Sequence, residues 1–333
     1  MKVSNISLTS AELGSIWASY MQESGSLPLL KYFLQKVEDT DVQPIVNKAV
    51  VFSEEHLNDL TSIFKSEGHE VPRGYSKEDV DVDAPKLYSD IFVLHFLKNL
   101  GKNGVSANGL SLSSSTREDI RALYLRFLQH SIEIEEETKS MMLSKGIYVR
   151  PPVMENKHKL NFIQKEAFLR GWFGERRTLT ADEIAHIFMN YQNNVLGKAL
   201  LTGFAQTAQD KKVKKYLLRG IELATDIVDT LRLLFEESSL PVPMTWDAGI
   251  TDVTTPVFSD QLMMFLNNSL SAVSLANMGG SLALSMRRDI ATKYLNRIKD
   301  IALYAEDGFE LMINYGWMER PPQVIDRDHL LKK

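Results

Sequence analysis

The amino-acid sequence predicts an all-α protein, built as a tandem duplication of a four-helix bundle. Three observations lead to this prediction. The same short motifs occur twice in the same order, each copy has four segments with apolar residues at helical spacing, and no segment reads as a β-strand. The chain has 333 residues, which is enough for two hydrophobic cores.

The repeat stays in register along nearly the whole chain. Up to Pro85, matching residues lie 171 positions apart, as Tyr20 and Tyr191 do. Beyond Pro85 the separation is 170, as between Tyr124 and Tyr294. A single one-residue slip after Pro85 accounts for both separations. We therefore predict one copy at residues 1–154, a second at 179–333, and a connecting segment at 155–178.

The first two helices of each copy are predicted from caps and apolar spacing. In the first copy, Thr9 or Ser10 is a suitable N-cap for a helix whose inner face repeats at helical spacing. Pro28 is expected to kink this helix without ending it, because the apolar pattern resumes beyond it. A turn near residues 39–41 precedes the second helix, which is expected to end at Gly68 and Pro72.

The third and fourth helices follow a long connection. A loop of about fifteen residues leads from Gly68 to Pro85, which is too long for a hairpin between neighbouring helices. The third helix is predicted from Pro85 into the serine-rich segment before Thr116, and the fourth from there to Gly146. Short, long and short connections in this order are typical of a ferritin-like four-helix bundle.

The segment 155–178 between the copies is predicted to be a packed linker with a short helix. Its content of large apolar side chains is too high for a solvated tether. These side chains are Phe162, Ile163, Phe168, Leu169, Trp172 and Phe173.

Composition excludes several classes of function. The net charge of −5 gives no electrostatic reason to expect nucleic acid as a partner. The absence of cysteine excludes disulfides and thiolate chemistry, and it fits a cytoplasmic protein. The charge-free stretch Gln261–Met286 is interrupted by asparagines and a Gly-Gly pair, so we predict a buried helix and no membrane span. Its small residues favour close packing on more than one side, between the copies or in a homodimer.

Five strings suggest a family. VRPP follows the fourth helix, and GWFGERRTLT, LGKALLTGFAQ, PMTWDAGITD and YGWMERPPQVIDRD come after it in that order. Over nearly its whole length, the chain resembles an uncharacterised family of spore-forming bacilli with a duplicated ferritin-like domain, grouped with spore-coat-F-type proteins. The resemblance implies the fold and an association with spores, and it implies no reaction.

A ferritin-type dinuclear iron centre is not expected. Such a centre needs a Glu-x-x-His motif on each of two bundle helices. Among the bundle helices, only Glu183 and His186 supply one. They lie at the start of a helix, where a glutamate is expected to stabilise the helix N-terminus. Glu155 and His158 lie between the copies. On the fourth helix His130 precedes Glu133, which reverses the order.

A simpler metal site is predicted in the first copy. Counted from the helix turns at about 1.5 Å per residue, Glu23, His56, His95 and His130 fall in one layer near mid-bundle, with Glu133 an alternative to His130. Three imidazoles and a carboxylate suit one divalent iron, manganese or zinc ion. Alternatively, the histidines are core residues that bond to each other or to Tyr124. The second copy has no such ligand set at the matching positions, which are Asn194, Ile227, Phe265 and Asp300.

Two functional hypotheses follow from the sequence. The first is a non-catalytic structural or interaction protein, associated with spores and with homodimer or spore-coat partners. The second is a metal-binding protein that performs redox or metal-handling chemistry at the atypical site of the first copy. No catalytic residue can be assigned from any motif.

Overall fold

The computed structural model describes residues 6–154, 161–172, 176–245, 249–327 and 331. Within them the chain forms eight α-helices and no strand beyond two isolated bridges, which confirms an all-α protein of two helical bundles. The helices are α1 (Ser10–Lys36), α2 (Gln43–Ser66), α3 (Asp90–Ser114), α4 (Glu118–Ser144), α5 (Ala181–Thr207), α6 (Lys211–Glu237), α7 (Asp260–Leu284) and α8 (Arg288–Asn314).

The helix bounds reproduce the sequence repeat. Both ends of α5 lie 171 residues beyond those of α1, and both ends of α7 and α8 lie 170 residues beyond those of α3 and α4. The one-residue slip therefore falls in the connection between the second and third helices. The duplication seen in the motifs is a duplication of the helical unit.

Local signals fix the helix ends. Thr9 caps α1, and Glu12 in the first turn closes a capping box with it. Thr180 and Glu183 do the same for α5. The fourth helix of the first copy is followed by Gly146, whose φ of 69° is the left-handed conformation that favours glycine. Helix α1 continues through Pro28, as the resumed apolar pattern predicted.

Within each copy, the long connection joins diagonally opposed helices. In the first bundle α1 packs on α2 and α3, and α4 packs on α2 and α3. The crossover loop at residues 67–89 thus leads from α2 to the helix across the bundle. The second bundle has matching pairs of α5 with α6 and α7, and of α8 with α6 and α7.

The two crossover loops pair with each other around an approximate twofold axis. The backbone N–H of Asp81 donates to the carbonyl of Val257 at 2.8 Å, and that of Ser259 donates to Asp79 at 2.9 Å. The same pattern recurs where Ser89 donates to Gly249 and Thr251 donates to Leu87. The first and third helices cross-pack in the same way, α1 against α7 and α3 against α5.

One hydrophobic core runs through both copies. Buried residues from all eight helices and both crossover loops form a single contact cluster, and a smaller cluster lies in the first copy alone. Phe258 joins the halves, because its ring packs edge-on against Tyr32 of the first copy, at 5.2 Å between centroids, and against Phe204 of its own. The copies are therefore fused into one packed body.

The connecting segment differs from its prediction. Phe162, Ile163 and Trp172 are 79%, 60% and 55% exposed, so these apolar side chains are not packed on the bundles. A short 3-10 turn at Glu166–Leu169 stands where a helix was expected, and Phe168 lies under the guanidinium of Arg177. Arg177 also donates to the carbonyl of Phe168 at 2.9 Å, so this turn is held near the start of α5. Phe173 lies outside the described residues.

Helix α7 occupies the charge-free stretch and is buried on several sides. It packs on α5 and α8 of its own copy and on α1 of the first. Its buried residues include Asn267, Asn268 and Ser271. None of the helices in the described ranges has the length and apolarity needed to cross a membrane.

A candidate site in the first bundle

Three of the five predicted site residues meet in the middle of the first bundle. Glu23 on α1 accepts a hydrogen bond at its Oε1 from His56 Nδ1 on α2, at 2.7 Å. His56 Nε2 lies 3.0 Å from His130 Nδ1 on α4. The three side chains form a linear chain that crosses the bundle, as the level argument predicted for these three helices.

Neighbouring side chains hold this chain in place. The ring of Phe52 stacks on His130 with 3.8 Å between centroids, and Phe127 stacks on His56 at 3.7 Å. Ser53 donates to the second carboxylate oxygen of Glu23 at 2.7 Å. Both rings and the carboxylate are thus fixed on two sides, which keeps the hydrogen-bond geometry.

The hydrogen bonds determine the proton positions when the rings are neutral. His56 Nδ1 faces a carboxylate and therefore carries the proton, so its Nε2 accepts from His130 Nδ1. Burial, and next the charge of His56, lower the pKa of His130. A neutral His130 with its Nδ1 proton turned inward leaves its Nε2 as an acceptor at the outer end of the chain.

The arrangement is linear, whereas the donors of a metal site converge on one point. Glu23 contacts the ring nitrogen of His56 that faces away from His130, so it would orient a ligand and not bind the same ion. In the described part of the chain, no group of three or more histidine, aspartate or glutamate side chains is arranged to hold a metal ion.

The other two predicted ligands lie apart from this chain. His95 is buried in α3, and it does not line the cavity beside His56. Burial, and next the charge of Lys98, lower the pKa of His95 to about 4. Glu133 points to the surface, where it shares Lys48 with Glu137. Neither His95 nor Glu133 lines the cavity that Glu23, His56 and His130 share.

A small cavity of about 80 Å³ adjoins the chain. Three residues that sequence reasoning missed line it together with the site: Ser53, Asn108 and Ser131. Gly101 brings α3 against the backbone of α4 here, since a Cβ at this position would lie 2.8 Å from the nitrogen of Glu135. A glycine at an inner helix position was the signal that could have located this contact.

The same layer of the second bundle has lost this chemistry. Ile227 replaces His56, and Asn194 replaces Glu23. Arg297 stands where the first copy has Phe127, and it pairs with Asp300, which stands where His130 does. Small and apolar residues remain in the interior, and the layer contains a larger cavity.

The Glu-x-x-His motif of the second copy is structural, as predicted. Glu183 accepts hydrogen bonds from the backbone of Thr180 and Arg287, and it pairs with Arg177. His186 lies 3.1 Å from Ser281 Oγ through its Nδ1. The carboxylate therefore ties the starts of α5 and α8 together. Glu155 and His158 lie outside the described residues.

Comparison with known proteins places the chain in a family. A search among curated proteins found no match. One similar solved structure is described as a "putative spore coat protein" from Bacillus halodurans C-125. It is 17% identical, with a TM-score of 0.42, over 46% of this chain and 100% of that one. The model of the family DUF3231, described as a protein of unknown function, matches residues 1–160 and again 167–330. The chain therefore belongs to the DUF3231 family and carries its domain twice.

Proposed function

We propose that this protein is a non-catalytic structural or interaction protein, made of two ferritin-like bundles fused into one body. The observation that supports this most is the shared core. Phe258 and the paired crossover loops bury the face on which each copy would otherwise meet a partner. A fused pair presents two related outer surfaces at a fixed distance and orientation, which suits a scaffold.

The geometry of the polar chain also supports a non-catalytic role. Both ring nitrogens of His56 are engaged, one with Glu23 and one with His130. The adjoining cavity of about 80 Å³ has room for about two or three water molecules and not for an organic substrate. A general base needs a substrate proton within hydrogen-bond reach. Here Glu23 and the two rings form hydrogen bonds with one another instead.

The ferritin-like assignment rests on connectivity. In each copy the long loop joins diagonally opposed helices, and short turns join the neighbours. That combination is the one-crossover bundle topology of ferritin-like folds.

The proposed association with spores rests on the family resemblance of the sequence. A fluorescent fusion of the full chain, expressed from its own promoter in sporulating cells of the native host, tests it. We expect the fusion in the coat fraction and released by detergent with reductant or alkali. A fusion that stays in the mother-cell extract would contradict spore association and leave the scaffold role intact.

A metal site is the second candidate function, and one observation favours it. His56 Nε2 and His130 Nδ1 lie 3.0 Å apart, which matches the separation of two adjacent ligands on one ion, with Glu23 orienting His56. The test is elemental analysis of protein purified without chelators, for wild type, His56→Ile and His95→Phe. A stoichiometric divalent metal that only His56→Ile removes supports this site. Metal-free wild type, or equal loss in both variants, rejects it.

A further inference from the structure

The second bundle contains a cavity of about 170 Å³ in the layer that corresponds to the polar chain of the first. All four of its helices line it. Leu200, Leu223, Ile227, Leu270 and Ile301 make most of the wall apolar. Cavities of this size with apolar walls accept small organic molecules in preference to water.

The cavity is larger than its counterpart in the first bundle, and the residues on the α4 and α8 sides differ between the copies. In the first bundle, the rings of Phe127 and His130 occupy the α4 side of this layer, beside the smaller cavity of about 80 Å³. In the second, Arg297 and Asp300 pair with each other, and Arg297 also donates to Thr230 on α6. Neither side chain lines the cavity, whose α8 wall consists of Ile301 and Tyr304.

The cavity reaches the boundary between the copies, where its lining becomes polar. Asn193 on α5 and Asn99 and Asn103 on α3 line this end. Asn103 donates to Asn99 at 2.5 Å, and Asn99 donates to the amide oxygen of Asn193 at 3.1 Å. Lys102 donates to the same oxygen at 2.6 Å. An ammonium can only donate, so this contact fixes which end of the amide faces Lys102.

The polar end offers donors. The amide nitrogen of Asn193 is buried without a hydrogen-bond partner, as is the hydroxyl of Ser274 in the cavity wall. Across the described ranges no carboxylate pairs with Lys102. The nearest charged side chain on its own helix is another cation, Lys98, one turn away. Burial, and next repulsion from Lys98, lower the pKa of Lys102 to about 8, so the ammonium is still mostly charged at pH 7. Unpaired donors in the wall, and a half-buried ammonium that contacts the lining residue Asn193, suit an anionic acceptor.

We propose that this cavity binds a small amphiphilic carboxylate, with its hydrocarbon part inside the second bundle and its carboxylate at Asn193 and Lys102. The volume sets the hydrocarbon part at about six to ten non-hydrogen atoms, the size of a short fatty acid or an aromatic acid. The ligand would contact helices of both copies. The proposal goes beyond the scaffold role, because it gives the duplicated chain a binding site that one copy alone cannot form.

Octanoate is a suitable probe, and calorimetric titration of the full-length protein at pH 7 is the test. We expect saturable binding at one site per chain. Gly197→Leu should weaken it at least about tenfold, since Gly197 lines the cavity and a Cβ there meets nothing within 4 Å. Gly14→Leu is the matched control, because Gly14 is an exposed helical glycine of α1 with the same open surroundings. It should leave affinity within about twofold.

A second pair of variants tests the carboxylate end. Lys102→Met should weaken octanoate about tenfold and leave 1-octanol unchanged. Lys98→Met is the control, since Lys98 lies over the ring of Tyr148, at 4.3 Å, and not at Asn193. Circular dichroism shows whether each variant keeps its helices. No saturable octanoate binding, or binding that Gly197→Leu leaves unchanged, would overturn the site. Equal affinity for octanol and octanoate would overturn the assignment of a carboxylate.

Discussion

At the scale of single residues, the polar side chains of the interior mostly hold helices in place. Glu12 shows this most clearly, since its carboxylate joins the starts of α1 and α4. One oxygen accepts from the backbone and the hydroxyl of Thr9, and the other accepts from the backbone of Thr116 and Arg117, each at 2.8 Å. The hydroxyl of Thr116 also donates to this second oxygen, at 3.2 Å. Burial opposes ionisation, but these backbone hydrogen bonds lower the pKa of Glu12 to about 2.

This lowered pKa predicts a pH-dependent contribution to stability. A carboxylate with a lowered folded pKa stabilises the protein above its unfolded value of 4.5, and the effect is lost as pH falls towards 2. Glu12→Gln should therefore lower the free energy of unfolding by about 3 kcal/mol at pH 7. The gap to wild type should shrink between pH 4.5 and 2, measured by urea unfolding. Glu118→Gln, an exposed first-turn carboxylate of α4, is the control and should change little. A gap that does not vary with pH would contradict this account.

The candidate site was predictable in part, and the reason is geometric. Rise along a helix is regular, so counting residues from the turns placed Glu23, His56 and His130 at one level. The direction in which a side chain points around the helix axis is less certain. Successive residues differ by 100°, so a small error in the assumed orientation of the helix moves a side chain to another face. His95, and Glu133 as the alternative to His130, do not line the cavity beside the other three side chains. Ser53 gave no signal, since a serine in a helix is usually unremarkable until its partner is known.

At the scale of helices, the close approach of α3 to α4 depends on one glycine. Gly101→Ala would place a Cβ 2.8 Å from the nitrogen of Glu135 and 3.0 Å from the carbonyl of Ser131, and backbone atoms cannot turn aside. We expect a net destabilisation of about 1–3 kcal/mol, although alanine favours helix by about 1 kcal/mol.

Gly109 on the same helix is the matched control. A Cβ there meets nothing within 4 Å, so Gly109→Ala should raise the free energy of unfolding by about 0.5–1 kcal/mol. Thermal and urea unfolding of the two variants measure both effects. If Gly101→Ala were as stabilising as Gly109→Ala, the helices would not be in close contact at Gly101.

At the scale of the whole molecule, sequence patterns gave the helices but not the way the copies meet. Caps, apolar stripes and the 171- and 170-residue offsets determine the eight α-helices seen in the described residues, because these signals are local. The pairing of the crossover loops uses backbone groups, which carry no side-chain signature. The fit of Tyr88 against Gly203 also depends on the assembled pair: the hydroxyl of Tyr88 donates to Leu200, and a Cβ on Gly203 would lie 2.4 Å from it.

The shared core predicts that the two copies unfold together. A complete set of four amphipathic helices in each half suggests two independent domains, and scanning calorimetry of the full chain would then show two transitions. The fused core instead predicts one transition, because Phe258 of the second copy packs on Tyr32 of the first as well as on Phe204 of its own. Phe258→Ala should lower the stability of this single transition by about 3–5 kcal/mol. Leu284→Ala, at an exposed position of α7, should leave it nearly unchanged. Two resolved transitions in wild type, or a loss confined to one half in Phe258→Ala, would show that the copies fold separately.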